Sequence, residues 1–258
     1  MSQILVSNLS FGYGSSTGGR AVLRGMDLSV PSGTLTTVVG PNGSGKSTLL
    51  KVISAYLSPA SGSVIIDGRN PHSMGHAERA ALVTYCGDEP EPAFDFSVME
   101  TVLMGRVSRG DGAGDAAAAE QAMQRMGVAH LRDRAITSLS SGERQRVYLA
   151  RAICQDPGVF LLDEPTAHLD MAYELSVMEM VRDMAQTQGK TVLTVVHDLN
   201  LALRFASRLY FMKDGKVAYS LQPDEVDERV IRDVYGVTAS IIHHPTLGCP
   251  VALPTSRV

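Results

Sequence analysis

Apolar positions fall into two rhythms along the chain. In the first 40 residues they come in short β-rich pieces, Ile4-Leu5-Val6, Ala21-Val22-Leu23 and Leu35-Thr36-Thr37-Val38-Val39, divided by Gly and Ser turns. That pattern predicts strands. Residues 12–19 read as a loop, 46–57 as a helix following a glycine turn, and 64–68 as a strand ending in a turn. From about residue 88 helical spacing takes over. Helices are expected over 98–104, 116–126 and 143–153, with 110–115 as a Gly/Asp-rich link. Strand-like runs return at 159–162, 191–196, 208–212 and 216–219. β-rich, then α, then alternating β and α predicts an α/β core carrying a helical insertion. The expectation is one domain over 1–258, with core 1–87 and 156–258 and a helical subdomain of about 88–155.

Composition narrows the class. The chain has 258 residues, 44% of them hydrophobic, and a net charge of −4. That is an ordinary globular core, and scattered Lys and Arg offer no basic face for nucleic acid. No apolar run approaches the roughly 20 residues of a membrane helix. The first residues carry no basic start or long apolar stretch, so no signal peptide is expected. Cys86, Cys154 and Cys249 lack metal-like spacing and fit free thiols in a reducing compartment.

Two glycine-bearing turns open onto helix starts, and both look built to hold phosphate. Gly40-Pro41-Asn42-Gly43-Ser44-Gly45-Lys46-Ser47-Thr48 follows an apolar strand and precedes a helical pattern, the context a phosphate-binding loop requires. Its glycines let backbone N–H groups close around phosphate oxygens at a helix N-terminus. Lys46 would neutralise the β- and γ-phosphates and the Ser47 hydroxyl would ligate Mg²⁺. The second turn is Leu139-Ser140-Ser141-Gly142-Glu143-Arg144-Gln145. One nucleotide needs one such cradle from its own subunit. Two cradles far apart in one chain suggest two copies meeting with nucleotide between them.

Val159-Phe160-Leu161-Leu162-Asp163-Glu164 places two acids after four apolar residues. A buried strand would present them at the carboxyl edge, where open α/β sheets bind ligands. Asp163 would hold Mg²⁺ through water, and Glu164 would orient or deprotonate an attacking water. His197 follows a second apolar strand and would reach the γ-phosphate from the same edge. His72 and His76 are four apart, but Gly75 between them weakens a helix and no third ligand is near.

With these residues on the page, the chain resembles the ATP-binding-cassette (ABC) family over nearly its whole length. Leu139-Ser140-Ser141-Gly142-Glu143 is similar to that family's signature, and Ala167-His168-Leu169-Asp170 is similar to its D-loop. Tyr13 matches the aromatic that stacks on adenine. The resemblance implies a P-loop ATPase fold with an N-terminal antiparallel β-subdomain, and ATP and Mg²⁺ as cofactors. Two copies would clamp ATP between Lys46 of one and Ser140 and Gly142 of the other. Further likeness at 40–51, 197–204, 232–237 and 248–251 is to ATPase subunits of importers for iron–siderophores, haem and vitamin B12. It implies a peripheral protein on the cytoplasmic face of the inner membrane, bound to separate permease subunits and served by a substrate-binding protein. A soluble ABC ATPase without membrane partners is the alternative, and a P-loop kinase is a third class. The chain departs from the family at Ser141 and Glu143. It departs again where a strand usually ends in Pro-Gln, which places Asp88 at the Mg²⁺ edge with Glu89 as the other candidate.

Overall fold

The computed structural model describes residues 3–14, 20–87, 92–109 and 112–257. Strands β1 (Ile4–Tyr13) and β2 (Arg20–Val30) pair antiparallel, so β1 runs through Gly12 and Tyr13, which the sequence reading left in a loop. β3 (Leu35–Val39) leads into the glycine turn and α1 (Lys46–Ile53), shorter than expected because the chain turns at Ser54. β4 (Ser61–Ile66) returns to the free edge of β1, giving a three-stranded antiparallel sheet in the order β2-β1-β4. α2 (His76–Leu82) passes directly into β5 (Val83–Cys86).

The helical segment follows: α3 (Val98–Leu103), a 3-10 turn over 104–109, α4 (Asp115–Arg125) and α5 (Ser141–Gln155). α3 and α5 begin with capping boxes, Ser97 with Glu100 and Ser140 with Glu143. Each satisfies two backbone donors that a helix start leaves open. The rest alternates: β6 (Val159–Asp163), α6 (Met171–Gln186), β7 (Thr191–Val195), α7 (Leu199–Phe205), β8 (Arg208–Lys213), β9 (Lys216–Leu221) and α8 (Glu228–Tyr235). A hairpin of β10 (Val237–His244) and β11 (Cys249–Arg257) closes the chain. It is tied to α7 by Asn200, whose side-chain amide exchanges bonds with the backbone of Ala252 at 2.8 and 3.2 Å.

The larger sheet has six strands in the order β5-β6-β7-β3-β8-β9, parallel except for β9. Its central strands β3, β6 and β7 are buried at every position because both faces are covered. Phe160, Leu162, Val192, Leu209 and Phe211 pack with the helices, while Val159, Leu161, Leu193, Tyr210 and Met212 pack under the antiparallel sheet. Residues alternate between two cores, as a period of two requires.

α8 shows how strongly local signals hold an outlying element. Asp227 caps it, its Oδ1 accepting from the backbone of Arg229 at 2.9 Å and Val230 at 3.0 Å. Asp227→Ala is expected to cost about 1 kcal/mol. Thermal denaturation should register this as a loss of about 2–4 °C for a chain of this size.

Candidate functional site

Five parallel strands end on one edge of the sheet, and the site is assembled there. β3 runs into Gly40, whose φ of 147° and closeness to the carbonyl of Met212 leave no room for a Cβ. Gly45 stands at φ 103° as the residue before α1, its α-carbon facing Leu23 and Val22. With those two positions open, the loop wraps back on itself. Lys46 Nζ donates to the carbonyls of Gly40 at 2.8 Å and Pro41 at 3.0 Å. Burial lowers the Lys46 ammonium pKa, opposed by the nearby charges of Glu164 and Asp163. Ser44 Oγ is buried within the loop and has no hydrogen-bond partner among the described residues, an orphaned polar group of the kind a bound phosphate can satisfy.

β6 ends at Asp163, which is 5% exposed. Ser47 Oγ donates to its Oδ1 at 3.1 Å and Tyr85 Oη to its Oδ2 at 3.1 Å. Burial pushes the Asp163 carboxyl pKa up, while the two hydroxyl bonds pull it down. A hydroxyl and a carboxylate at one point form the hard-oxygen set that Mg²⁺ takes, with the remainder left to phosphate and water. The donor set therefore fits the ion. Asp88, the third expected metal residue, and Glu89 lie outside the described residues.

Glu164 follows in a left-handed conformation at φ 54°, its N–H bonded to the carbonyl of Val195 at 3.0 Å. Its Oε1 lies 2.6 Å from His197 Nε2 at the end of β7. A bulky residue at positive φ stores strain that surrounding structure must hold. Here it aims the carboxylate out of the strand toward the opening, where Glu164 and His197 meet Lys46 and Ser47 around one cavity of about 820 Å³.

Tyr13 also lines that cavity. Its hydroxyl is 3.3 Å from Thr48 Oγ1 and its ring stands edge-on to Phe11, with centroids 4.9 Å apart. Asn42, Gly43 and Gly45 line it too. Ala21, Val22, Arg24, Asp214 and Gly215 also line it, and sequence reasoning assigned none of them to the site. They belong to β2 and the β8–β9 turn, and only the packing of one sheet over the other brings them there.

None of Ser140, Gly142 and Glu143 lines this cavity. Ser141 lines a neighbouring one of about 500 Å³, which Ser47, Asp163 and Glu164 share with Arg144 and Gln145. Glu143 is engaged at home: its carboxylate accepts from the Ser140 N–H at 2.9 Å and the Ser140 hydroxyl at 2.7 Å. Those bonds hold its pKa below the usual carboxylate value. Gly142 packs flat against the D-loop, where a Cβ would stand 2.9 Å from the carbonyl of His168. His72 and His76 sit on separate elements, and no cluster of three metal-ligating side chains occurs among the described residues.

Comparison with known proteins places this geometry. The family model for ABC transporters matches residues 23–167. The hemin import ATP-binding protein HmuV of Gloeobacter violaceus is 41% identical, over 94% of this chain and 92% of that protein. The ferric enterobactin transport ATP-binding protein FepC of Escherichia coli is 34% identical, over 96% of this chain and 93% of that protein. Among solved structures, a dimeric ATP-binding cassette in a post-hydrolysis state with ADP and Pi superposes with a TM-score of 0.78 at 26% identity. That match covers 85% of this chain and 98% of the other.

Proposed function

Since the chain belongs to the ABC transporter family and is an ATPase of that family, we propose that it energises an importer of a metal chelate. The cargo class is haem, ferric siderophore or a cobalamin-type compound. The observation that carries this reading is likeness, over more than nine-tenths of this chain, to import ATP-binding proteins for such cargoes. No helix among the described residues is long and apolar enough to cross a membrane, so the pore belongs to permease subunits. The ATPase sits peripherally on the cytoplasmic face of the inner membrane, and a substrate-binding protein delivers cargo from the other side.

In this reading Tyr13 stacks on adenine and the turn from Gly40 to Thr48 holds the phosphates. Lys46 leaves its own loop carbonyls to neutralise the β- and γ-phosphates. Ser47 and Asp163 hold Mg²⁺, which supplies charge neutralisation at the phosphates. Glu164 orients or deprotonates the attacking water, and His197 meets the γ-phosphate. The cavity lacks the signature turn of its own chain. We therefore assign Ser140, Ser141, Gly142 and Glu143 to the nucleotide of a second copy, in a homodimer.

A groove of about 650 Å³ runs between the end of α1 and the 3-10 turn after α3, lined in part by Tyr56, Ala80, Met104 and Val107. Tyr56 and Val107 are 76% and 77% exposed. Exposed apolar side chains gathered beside one groove suit a protein contact, and we assign it to the permease. A strain lacking this chain, grown with haemin, a ferric siderophore or cobalamin as the limiting nutrient, tests the cargo class. Loss of growth on one of them, restored by the intact gene, is expected. Undiminished growth on all three rejects metal-chelate import.

A further inference from the structure

Asp163 carries two hydroxyl bonds, and only one comes from the phosphate-binding loop. The other comes from Tyr85 on β5, the strand beside β6. In register, Tyr85 stands opposite Leu161 and Cys86 opposite Leu162. To reach residue 163 the Tyr85 ring therefore leans along its strand toward the carboxyl edge. The space it crosses lies over Gly87. A Cβ at Gly87 would overlap the Tyr85 hydroxyl, stand 2.6 Å from Cζ of the same ring and 2.9 Å from the Asp163 Cβ. Any side chain at 87 excludes the phenol from its place against the carboxylate. Proline, which the family resemblance leads one to expect near this strand end, would exclude it as surely as alanine. Phenylalanine at 85 would fill the same volume without the bond. Tyr85 and Gly87 thus form one unit whose product is a fixed donor on Asp163 Oδ2.

We propose that Tyr85 is a positioning residue for the metal-bearing carboxylate. By holding Oδ2, it keeps Oδ1 turned toward Ser47, the hydroxyl assigned to Mg²⁺. The proposal rests on that assignment of Ser47 and Asp163. The chemistry suits the task. A phenol hydroxyl donates a hydrogen bond to the carboxylate without bringing a formal charge into a buried acidic site. An unheld carboxylate could rotate its two oxygens, and each metal-binding event would then have to select the right rotamer. Partners behind a metal ligand remove that freedom, and their loss typically costs 10–100-fold in metal affinity or activity.

The test separates metal from nucleotide. The affinity of the purified chain for ATP is measured by calorimetry in EDTA. The affinity of the ATP complex for Mn²⁺ is measured by electron paramagnetic resonance. Tyr85→Phe is expected to weaken Mn²⁺ about tenfold, or 1.4 kcal/mol, while ATP affinity in EDTA stays within about twofold, which also certifies the fold. Gly87→Ala should do the same by evicting the phenol. The double variant should lose no more than either single one, because residues acting through one contact are not additive. Unchanged Mn²⁺ affinity in Tyr85→Phe overturns the proposal, and so do losses that add in the double variant. Asp163→Asn is the reference. If it loses Mn²⁺ while Tyr85→Phe does not, the role of Tyr85 alone fails. If neither loses Mn²⁺, the metal assignment of Asp163 fails and takes the proposal with it.

Discussion

Glu164→Gln is expected to slow ATP hydrolysis by on the order of 10²–10⁴ while ATP affinity stays within about threefold, a difference under ~1 kcal/mol. The substitution is nearly isosteric, so the left-handed turn at φ 54° and the N–H bond to Val195 persist. The amide can still meet His197, which the carboxylate approaches at 2.6 Å. What disappears is an acceptor able to take a proton from water. Binding is expected to survive because the phosphate contacts are assigned to the Gly40–Thr48 turn and not to this carboxylate. A nucleotide-loaded dimer should accumulate, since opening waits on hydrolysis. Steady-state phosphate release and size-exclusion light scattering with ATP read the two halves. Turnover near that of the unaltered protein rejects Glu164 as the residue acting on water.

Ser140→Arg is expected to abolish ATP-dependent dimerisation, weakening it by at least about 100-fold, and to leave ATP binding to the monomer intact. A guanidinium at the signature turn would occupy the place assigned to the other copy's γ-phosphate. The residue is also the N-cap of α5, accepting from the Glu143 N–H at 3.3 Å. Losing that cap costs about 1 kcal/mol, which thermal denaturation measures separately. Ser140→Ala removes the cap without the bulk, so the distance between the two variants isolates the steric effect. Light scattering that still records a dimer of the Arg variant with ATP rejects the shared site.

Much of this was legible because it is local. The Gly40–Thr48 turn is one contiguous stretch whose geometry follows from its own glycines and from the helix it opens. The apolar runs before Asp163 and His197 announce buried parallel strands, and a strand's end fixes where its next residue emerges. The capping pattern of Ser140 and Glu143 was also present in the sequence. Reading that turn only as a phosphate cradle overlooked that its carboxylate serves its own helix. Element limits were less legible. β1 runs on through Gly12 and Tyr13 because β2 pairs with it there, and pairing with a distant segment outweighs a local glycine.

The sequence by itself made the family and the fold class legible and singled out the candidate phosphate-binding and acidic groups, since each motif is a short contiguous stretch and their order along the chain supplies the rest. Only the tertiary structure decided the Tyr85 bond to Asp163, the cavity wall at Arg24 and Asp214, and the flat packing of Gly142 on His168. Those contacts join residues that are remote along the chain. Pairing between strands of a sheet brings the first together, and packing between sheets or between a helix and a loop brings the others. Neither leaves a spacing in the sequence from which such a neighbour could be read.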